Sequence, residues 1–229
     1  MKHEGCQIIV FAKAPEPGHV KTRLIPTLGP VGAALLYERM AWRCLLTAAG
    51  TGIGPIELWC VPGTDHPFFR RCAEEFGLQL YAQPDGDLGD RMGYALQVTL
   101  QRSRFALLIG TDCPSRTSDD LQKTLLFLRE GAQAVIGPSE DGGYVLIGLS
   151  EYSPALFSEI PWGTQGVLEL TRARLRTSGW RWQELSQRWD VDRPEDVERL
   201  WKEGYGDLFP SRSSDFHKIG KENKEDGTP

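Results

Sequence analysis

Long apolar runs are missing from this chain. No stretch of its 229 residues approaches the roughly 20 apolar residues that a membrane helix needs, so no membrane span is expected. The short run Ile8-Ile9-Val10-Phe11-Ala12 ends at Lys13 and is too brief for a signal peptide. Histidine is scarce, with four scattered residues, which excludes a His-rich metal centre. The five cysteines (Cys6, Cys44, Cys60, Cys72, Cys113) are odd in number and form no C-x-x-C pair. That pattern fits neither a disulfide frame nor a zinc site, and reads as reduced thiols in a cytoplasmic protein. An excess of positive charge is absent too: the net charge is −5, which argues against gripping a nucleic acid by its backbone. Two familiar phosphate-binding signatures, G-x-x-x-x-G-K-[ST] and G-x-G-x-x-G, do not occur.

What is present is a globular composition, 40% hydrophobic and 25% charged. Strand-like runs recur at 7–12, 56–61, 78–82, 105–109, 132–137 and 143–148. Between most of them lie segments with helical spacing. Residues 31–49 carry Leu35, Leu36, Met40 and Leu45, and residues 88–101 carry Leu88, Met92, Leu96 and Leu100 on one face. Residues 118–129 carry Leu121, Leu125 and Leu128 behind Ser118, which reads as an N-cap. Further helices are expected at 165–178 after Thr164 and at 194–203 after Asp192. Alternating strands and helices predict an α/β fold with a mostly parallel sheet covered on both faces. The tight Pro138–Gly143 connection points to an antiparallel member. One domain is expected from residue 5 to 207, followed by a polar tail over 208–229 that offers too little apolar surface to offset its ordering entropy.

Positive charge is concentrated in residues 13–23, Lys-Ala-Pro-Glu-Pro-Gly-His-Val-Lys-Thr-Arg. Pro15 and Pro17 stiffen this loop and Gly18 frees it, while Lys13, Lys21 and Arg23 supply cations against the single carboxylate Glu16. Such a loop suits phosphate, and the same letters also fit a solvated surface loop. At the carboxyl end of an apolar run, Thr111-Asp112 is placed where ligands sit in open α/β sheets, so Asp112 is a candidate for a divalent cation; an Asx-turn before Pro114 is the alternative. Asp190-Val191-Asp192 would point two carboxylates one way if extended, although Asp192 with Pro194 and Glu195 also reads as a helix cap.

Three other segments carry polar chemistry. Glu140-Asp141-Gly142-Gly143-Tyr144 combines a carboxylate that could act as a base or meet sugar hydroxyls with glycines that admit close approach; a hairpin turn is the plain reading. Gly86, Leu88, Gly89 and Arg91 surround a helix start that could receive a nucleobase or ribose. Asp85-x-Asp87 matches the D-x-D letters of many glycosyltransferases, but it precedes a helix, where capping is expected. Trp162 and Thr164 fit an acceptor pocket, or a buried Trp with a cap.

Taken in order, Lys13-Ala-Pro15, Gly18, Lys21-Thr22-Arg23, Gly86 to Met92, Thr111-Asp112-Cys-Pro, Glu140 to Tyr144, Trp162-Gly-Thr164 and Asp190-Val-Asp192-Arg-Pro resemble one bacterial family. It is the GT-A-fold glycosyltransferase group associated with arsenosugar biosynthesis and with radical-SAM and selenium-linked gene neighbourhoods. The resemblance spans roughly residues 7–203 and implies a single nucleotide-diphospho-sugar transferase domain with a Rossmann-like mixed sheet. More distantly, the loop and the strand-end Asp look like nucleotidyltransferases of the phospholactate guanylyltransferase type. That likeness implies Asp112 and Asp192 as ligands of Mg²⁺ or Mn²⁺, and Lys21 and Arg23 as phosphate contacts. The leading expectation is a metal-dependent glycosyltransferase with a nucleotide-sugar donor and a small-molecule acceptor, in which Lys21, Arg23 and Asp141 are catalytic. The rivals are a nucleotidyltransferase and a catalytically silent nucleotide-binding module.

Overall fold

The computed structural model describes residues 3–209. Seven strands form one sheet: β1 (His3–Lys13), β2 (Ile56–Val61), β3 (Gln79–Ala82), β4 (Ser103–Gly110), β5 (Ala134–Pro138), β6 (Tyr144–Leu149) and β7 (Trp182–Glu184). Their spatial order is β3-β2-β1-β4-β6-β5-β7. All neighbours pair in parallel except β6, which runs antiparallel to both β4 and β5. The short connection at 139–143 explains that exception, because a crossover to a parallel neighbour needs a dozen residues or more.

Six helices cover the sheet: α1 (Ile25–Gly50), α2 (Pro67–Phe76), α3 (Leu88–Arg102), α4 (Ser118–Arg129), α5 (Val167–Thr177) and α6 (Pro194–Lys202). The central strands are apolar on both faces, as a doubly covered sheet requires. Ile8, Val10, Leu58, Leu107 and Ile109 face α1, α2 and α4, burying Leu45, Phe69, Leu121 and Leu125. Ile9, Ala106, Leu108 and Ile147 face the other way onto Met92 and Leu96 of α3 and Leu168 and Leu175 of α5. A third cluster joins Val20, Leu24, Leu36 and Met40 to Trp189, Val191, Val197 and Leu200, so α6 closes over α1. Each such side chain contributes roughly 1.5–3 kcal/mol when fully buried.

Several local expectations shift. Helix α2 and strand β7 were not anticipated. Pro67 opens α2 behind the His66 ring, which accepts from Phe68 N–H at 3.2 Å, and Gly77 closes it at φ 61°. Strand β7 is three residues long and pairs only with β5, too short to show alternation. Thr117, not Ser118, caps α4: its hydroxyl accepts from Asp120 N–H while Asp120 accepts from Thr117 N–H. Helix α5 has Gly166 at its N-cap, because the Thr164 hydroxyl is turned to donate to the Pro161 carbonyl at 2.8 Å. Leu35 of α1 is exposed, since the buried face runs instead through Ala33, Tyr37, Met40, Ala41 and Cys44. Leu208 and Phe209 are buried, with Phe209 stacked on Trp201 at 4.5 Å, so the packed chain runs two residues past the expected boundary at 207. The rest of the expected tail, 210–229, lies outside the described residues. No helix among the described residues is long and apolar enough to cross a membrane.

One ion pair ties the segment after β7 to α4. Asp120, 7% exposed, accepts from Arg188 Nη2 at 2.8 Å and Nε at 3.0 Å. Burial pushes its carboxyl up, but the Arg188 hydrogen bonds, the Thr117 N–H and the guanidinium charge outweigh that and hold it below the ordinary range. A depressed native value means the unfolded chain binds the proton more readily. The stabilisation is therefore present above the unfolded value near 3.9 and is lost as pH falls through the native one. Asp120→Asn should cost about 2 kcal/mol at pH 7, and the gap from the native protein should shrink as the pH falls below the unfolded carboxyl value and through the depressed native one. Urea midpoints at neutral and at progressively acid pH test this; a gap that does not shrink in acid would show that the cost does not come from the charge.

Candidate active site

A cleft of about 620 Å³ opens along the carboxyl ends of β1, β2 and β4 and the start of β6. Sheet order reverses between β1 and β4, which is where ligands enter open α/β sheets. Buried Val20 and Leu24 anchor the loop after β1 on either side of Lys21. Lys21 itself adopts the left-handed conformation, φ 46° and ψ 44°, unusual for a residue with a side chain. Its side chain is only 6% exposed, and the ammonium lies 3.0 Å from Asp112 Oδ2 and 4.0 Å from Asp192 Oδ1. Arg23, largely exposed, pairs with the other Asp192 oxygen. Three segments far apart in sequence thus meet at one ammonium group.

The Asp190–Asp192 segment reaches β4 through a backbone bond, Val191 N–H to the Asp112 carbonyl at 2.9 Å. Trp189 and Val191 face the third core cluster, while Asp190 and Asp192 line the cleft. The capping reading of Asp192 does not hold. Arg193 occupies the N-cap of α6, and the Asp196 carboxylate takes the amides of residues 192 and 193 at 2.9 and 2.7 Å, leaving Asp192 to Lys21 and Arg23. Burial raises the Asp112 carboxyl, but the charge and hydrogen bond of Lys21 prevail and hold it below the usual carboxylate range. Asp190 goes the other way. Burial and the negative charges of Asp141 and Asp112 push it up, against the 3.0 Å hydrogen bond from Ser139 Oγ.

Of the other residues singled out from sequence, Lys13, Thr22, Leu88, Thr111, Asp141, Gly143, Tyr144, Trp162 and Thr164 also line the cleft. Lys13 has no carboxylate partner among the described residues, so its charge stands free at the rim. Asp141 folds into an Asx turn, accepting from Gly143 N–H at 2.9 Å, and Trp162 stands edge-on to Tyr144 at 6.1 Å.

Pro15, Gly18, Gly86, Gly89, Arg91 and Gly142 are not among the lining residues, and each has a structural task nearby. Pro15 is buried under the loop and Gly18 turns it at φ 84°. The Asp87 carboxylate caps α3 in a reciprocal pair with Asp90, which settles the Asp85-x-Asp87 segment as a cap, and Arg91 Nε donates to the Gly86 carbonyl at 3.0 Å. Gly89 lies against the Trp162 indole, where a Cβ would overlap it. Gly142, at φ 87°, packs on the carbonyl of Gln165.

Among the polar side chains that line the cleft, His19, Tyr37, Gln83 and Ser139 escaped the sequence reading. Tyr37 carried a visible signal, as a hydroxyl on the buried face of α1; it accepts from Lys13 N–H at 2.7 Å and from Thr111 Oγ1 at 3.0 Å, joining β1 to β4. Gln83 follows β3, and its amide nitrogen donates to the Trp59 carbonyl at 2.8 Å.

Among the described residues no group of three or more His, Cys, Asp or Glu is assembled as a ready metal cage. Asp112 and Asp192 nonetheless share a cation in the form of Lys21, and carboxylate oxygens are the donors that Mg²⁺ and Mn²⁺ prefer. The donor set therefore fits a divalent ion, with Asp190 beside it.

The family model described as "Uncharacterized protein conserved in bacteria (DUF2064)" matches residues 45–164. A Desulfovibrio desulfuricans G20 protein, provisionally named a nucleotide-diphospho-sugar transferase, superposes with a TM-score of 0.80 at 30% identity, over 95% of this chain and 94% of that one. The 4-diphosphocytidyl-2C-methyl-D-erythritol synthase of Anaerococcus prevotii DSM 20548 gives 0.57 at 13% identity, covering 88% of this chain and 98% of the other. Rv0371c of Mycobacterium tuberculosis H37Rv, in complex with manganese, gives 0.52 at 18%, covering 86% and 98%. These likenesses establish the fold as that of nucleotide-diphospho-sugar transferases. No curated protein matches the chain.

Proposed function

The chain belongs to the DUF2064 family, and from the cleft its fold builds we propose that it is a transferase that moves a sugar from a nucleotide-diphospho-sugar donor to a small acceptor. The observation that carries this reading is the meeting of Lys21 and Arg23 with Asp112 and Asp192 at the carboxyl ends of the strands. A leaving diphosphate needs its growing negative charge neutralised, and cations placed beforehand in a partly dehydrated cleft do this without reorganising. Lys13, Lys21 and Arg23 would take phosphate oxygens, and Thr22 and Thr111 stand beside them. A divalent cation, Mg²⁺ or Mn²⁺, would be held by Asp112 and Asp192 with Asp190 alongside, and supplies further charge neutralisation when bound. Asp141 would receive the acceptor hydroxyl proton as the anomeric carbon exchanges its bond to phosphate for one to the acceptor oxygen. Tyr144 and Trp162 offer flat apolar faces for a sugar ring.

Nucleotidyl transfer is the second reading. It is favoured by the absence of a D-x-D pair at the end of β4: Asp112 stands alone there, and its carboxylate companions come from residues 190–192. In that reaction an acceptor phosphate attacks the α-phosphorus of a nucleoside triphosphate and pyrophosphate departs, with the same cations serving. The five thiols are all free and buried, which supports a cytoplasmic setting for either reaction. The narrower arsenosugar-linked grouping belongs to the same proposal, supported by the order of motifs along the chain.

Incubation with Mg²⁺ and either nucleotide-sugars plus candidate acceptors, or nucleoside triphosphates plus sugar phosphates, separates the readings. Nucleoside diphosphate release with a glycosylated product supports the first, and pyrophosphate release supports the second. Binding of either substrate class without turnover would make the protein a silent nucleotide-binding module.

A further inference from the structure

We infer that Lys21 is an internal counter-ion that keeps divalent cations off the Asp112–Asp192 pair in the free protein and yields the pair when phosphate draws it away. This rests on the reading of that pair as the cation site. The ammonium already occupies the position between the two carboxylates, 3.0 Å from one and 4.0 Å from the other. It is almost wholly buried, and a charge removed from water must remain paired. The backbone holds it there: Lys21 keeps its left-handed conformation between two buried anchors, Val20 and Leu24. A non-glycine residue persists in that region only when its surroundings over-determine it.

An arriving cation must therefore displace Lys21 before it gains both carboxylates. Its apparent affinity is lowered by the fraction of protein in which the pair is free. Arg23 is a weaker obstacle, since its side chain is 69% exposed and its pairing with Asp192 is screened. Lys13, at the rim and without a carboxylate partner among the described residues, is free to meet phosphate first. Phosphate oxygens then give Lys21 another partner, and the carboxylates are released. Phosphate and cation should bind cooperatively for this reason, each strengthening the other by the same factor.

The test is Mn²⁺ binding to the full-length protein without nucleotide, read from the electron paramagnetic resonance signal of free Mn²⁺. Lys21→Met should bind Mn²⁺ at least about tenfold more tightly than the native chain. Lys21→Asn is the companion variant, because Asn tolerates the left-handed backbone and keeps the result readable if Met destabilises the loop. The double variant Lys21→Met/Asp112→Asn should lose the gain. If the Lys21 variants bind Mn²⁺ no better than the native protein while Asp112→Asn still abolishes binding, the cation site stands and the counter-ion role falls. If none of these proteins binds Mn²⁺, the cation site falls with it.

Discussion

Asp112→Asn is expected to lower metal-dependent turnover by about 10³-fold while the protein stays folded. Asn keeps the shape of the side chain and removes its charge, so the change isolates electrostatics. The backbone bond from Val191 N–H to the residue 112 carbonyl is untouched, and it holds the Asp190–Asp192 segment in place. Lys21 retains Asp192 as a partner, which limits the stability cost of losing the nearer carboxylate. The native Asp112 carboxyl is held below the ordinary range, so it remains ionised throughout neutral pH and the deficit should not recover on raising the pH. Steady-state kinetics at saturating Mg²⁺, beside a thermal melt, measures both halves. Turnover within tenfold of native in a folded variant would remove Asp112 from the chemistry.

Gly142→Ala should be nearly as damaging, for a reason unrelated to charge. The residue sits at φ 87°, a region a β-carbon tolerates poorly, and that carbon would overlap the backbone of Gln165. Strain of this kind costs about 1–3 kcal/mol, and forced displacement of packed backbone adds a similar amount. The Gly142 carbonyl accepts from Leu168 N–H at 2.9 Å, so a shift would loosen the first turn of α5 and with it the Asp141 turn and the cleft wall. Urea unfolding should show a loss of about 3 kcal/mol or more. Unchanged stability with lost turnover would instead mean that the glycine makes room for a ligand.

The two variants mark what was legible in the sequence and what was not. The layered fold could be read because the central strands are apolar on both faces and α3 and α4 keep strict helical spacing. The antiparallel β6 was legible in a five-residue connection too short for a crossover. Strand β7 was not, since three residues, none of them buried, carry no period and their pairing depends on an edge formed elsewhere. Within the cleft, charged residues announced themselves by type, and Asp112 by following an apolar strand. Glycines gave an ambiguous signal, because a glycine required by packing and one required by a ligand look alike until the neighbour is known. Gly89 facing Trp162 and Gly142 facing Gln165 are cases of the former. Gln83 was invisible for a related reason: its amide reaches the Trp59 carbonyl of another strand, a contact that no local pattern encodes.

Strand β1 lies between β2 and β4, and its Ile8 is in register with Ile56 on one side and Leu107 on the other. Strand β1 therefore waits, during synthesis, for about a hundred further residues before its second flank is satisfied. Until then it offers a bare, greasy ladder to any stray chain, a hazard that sheets usually manage with charge or cover at their margins. Recombinant pieces trimmed to the family-matched region would omit this strand altogether and leave both of its former neighbours unzipped.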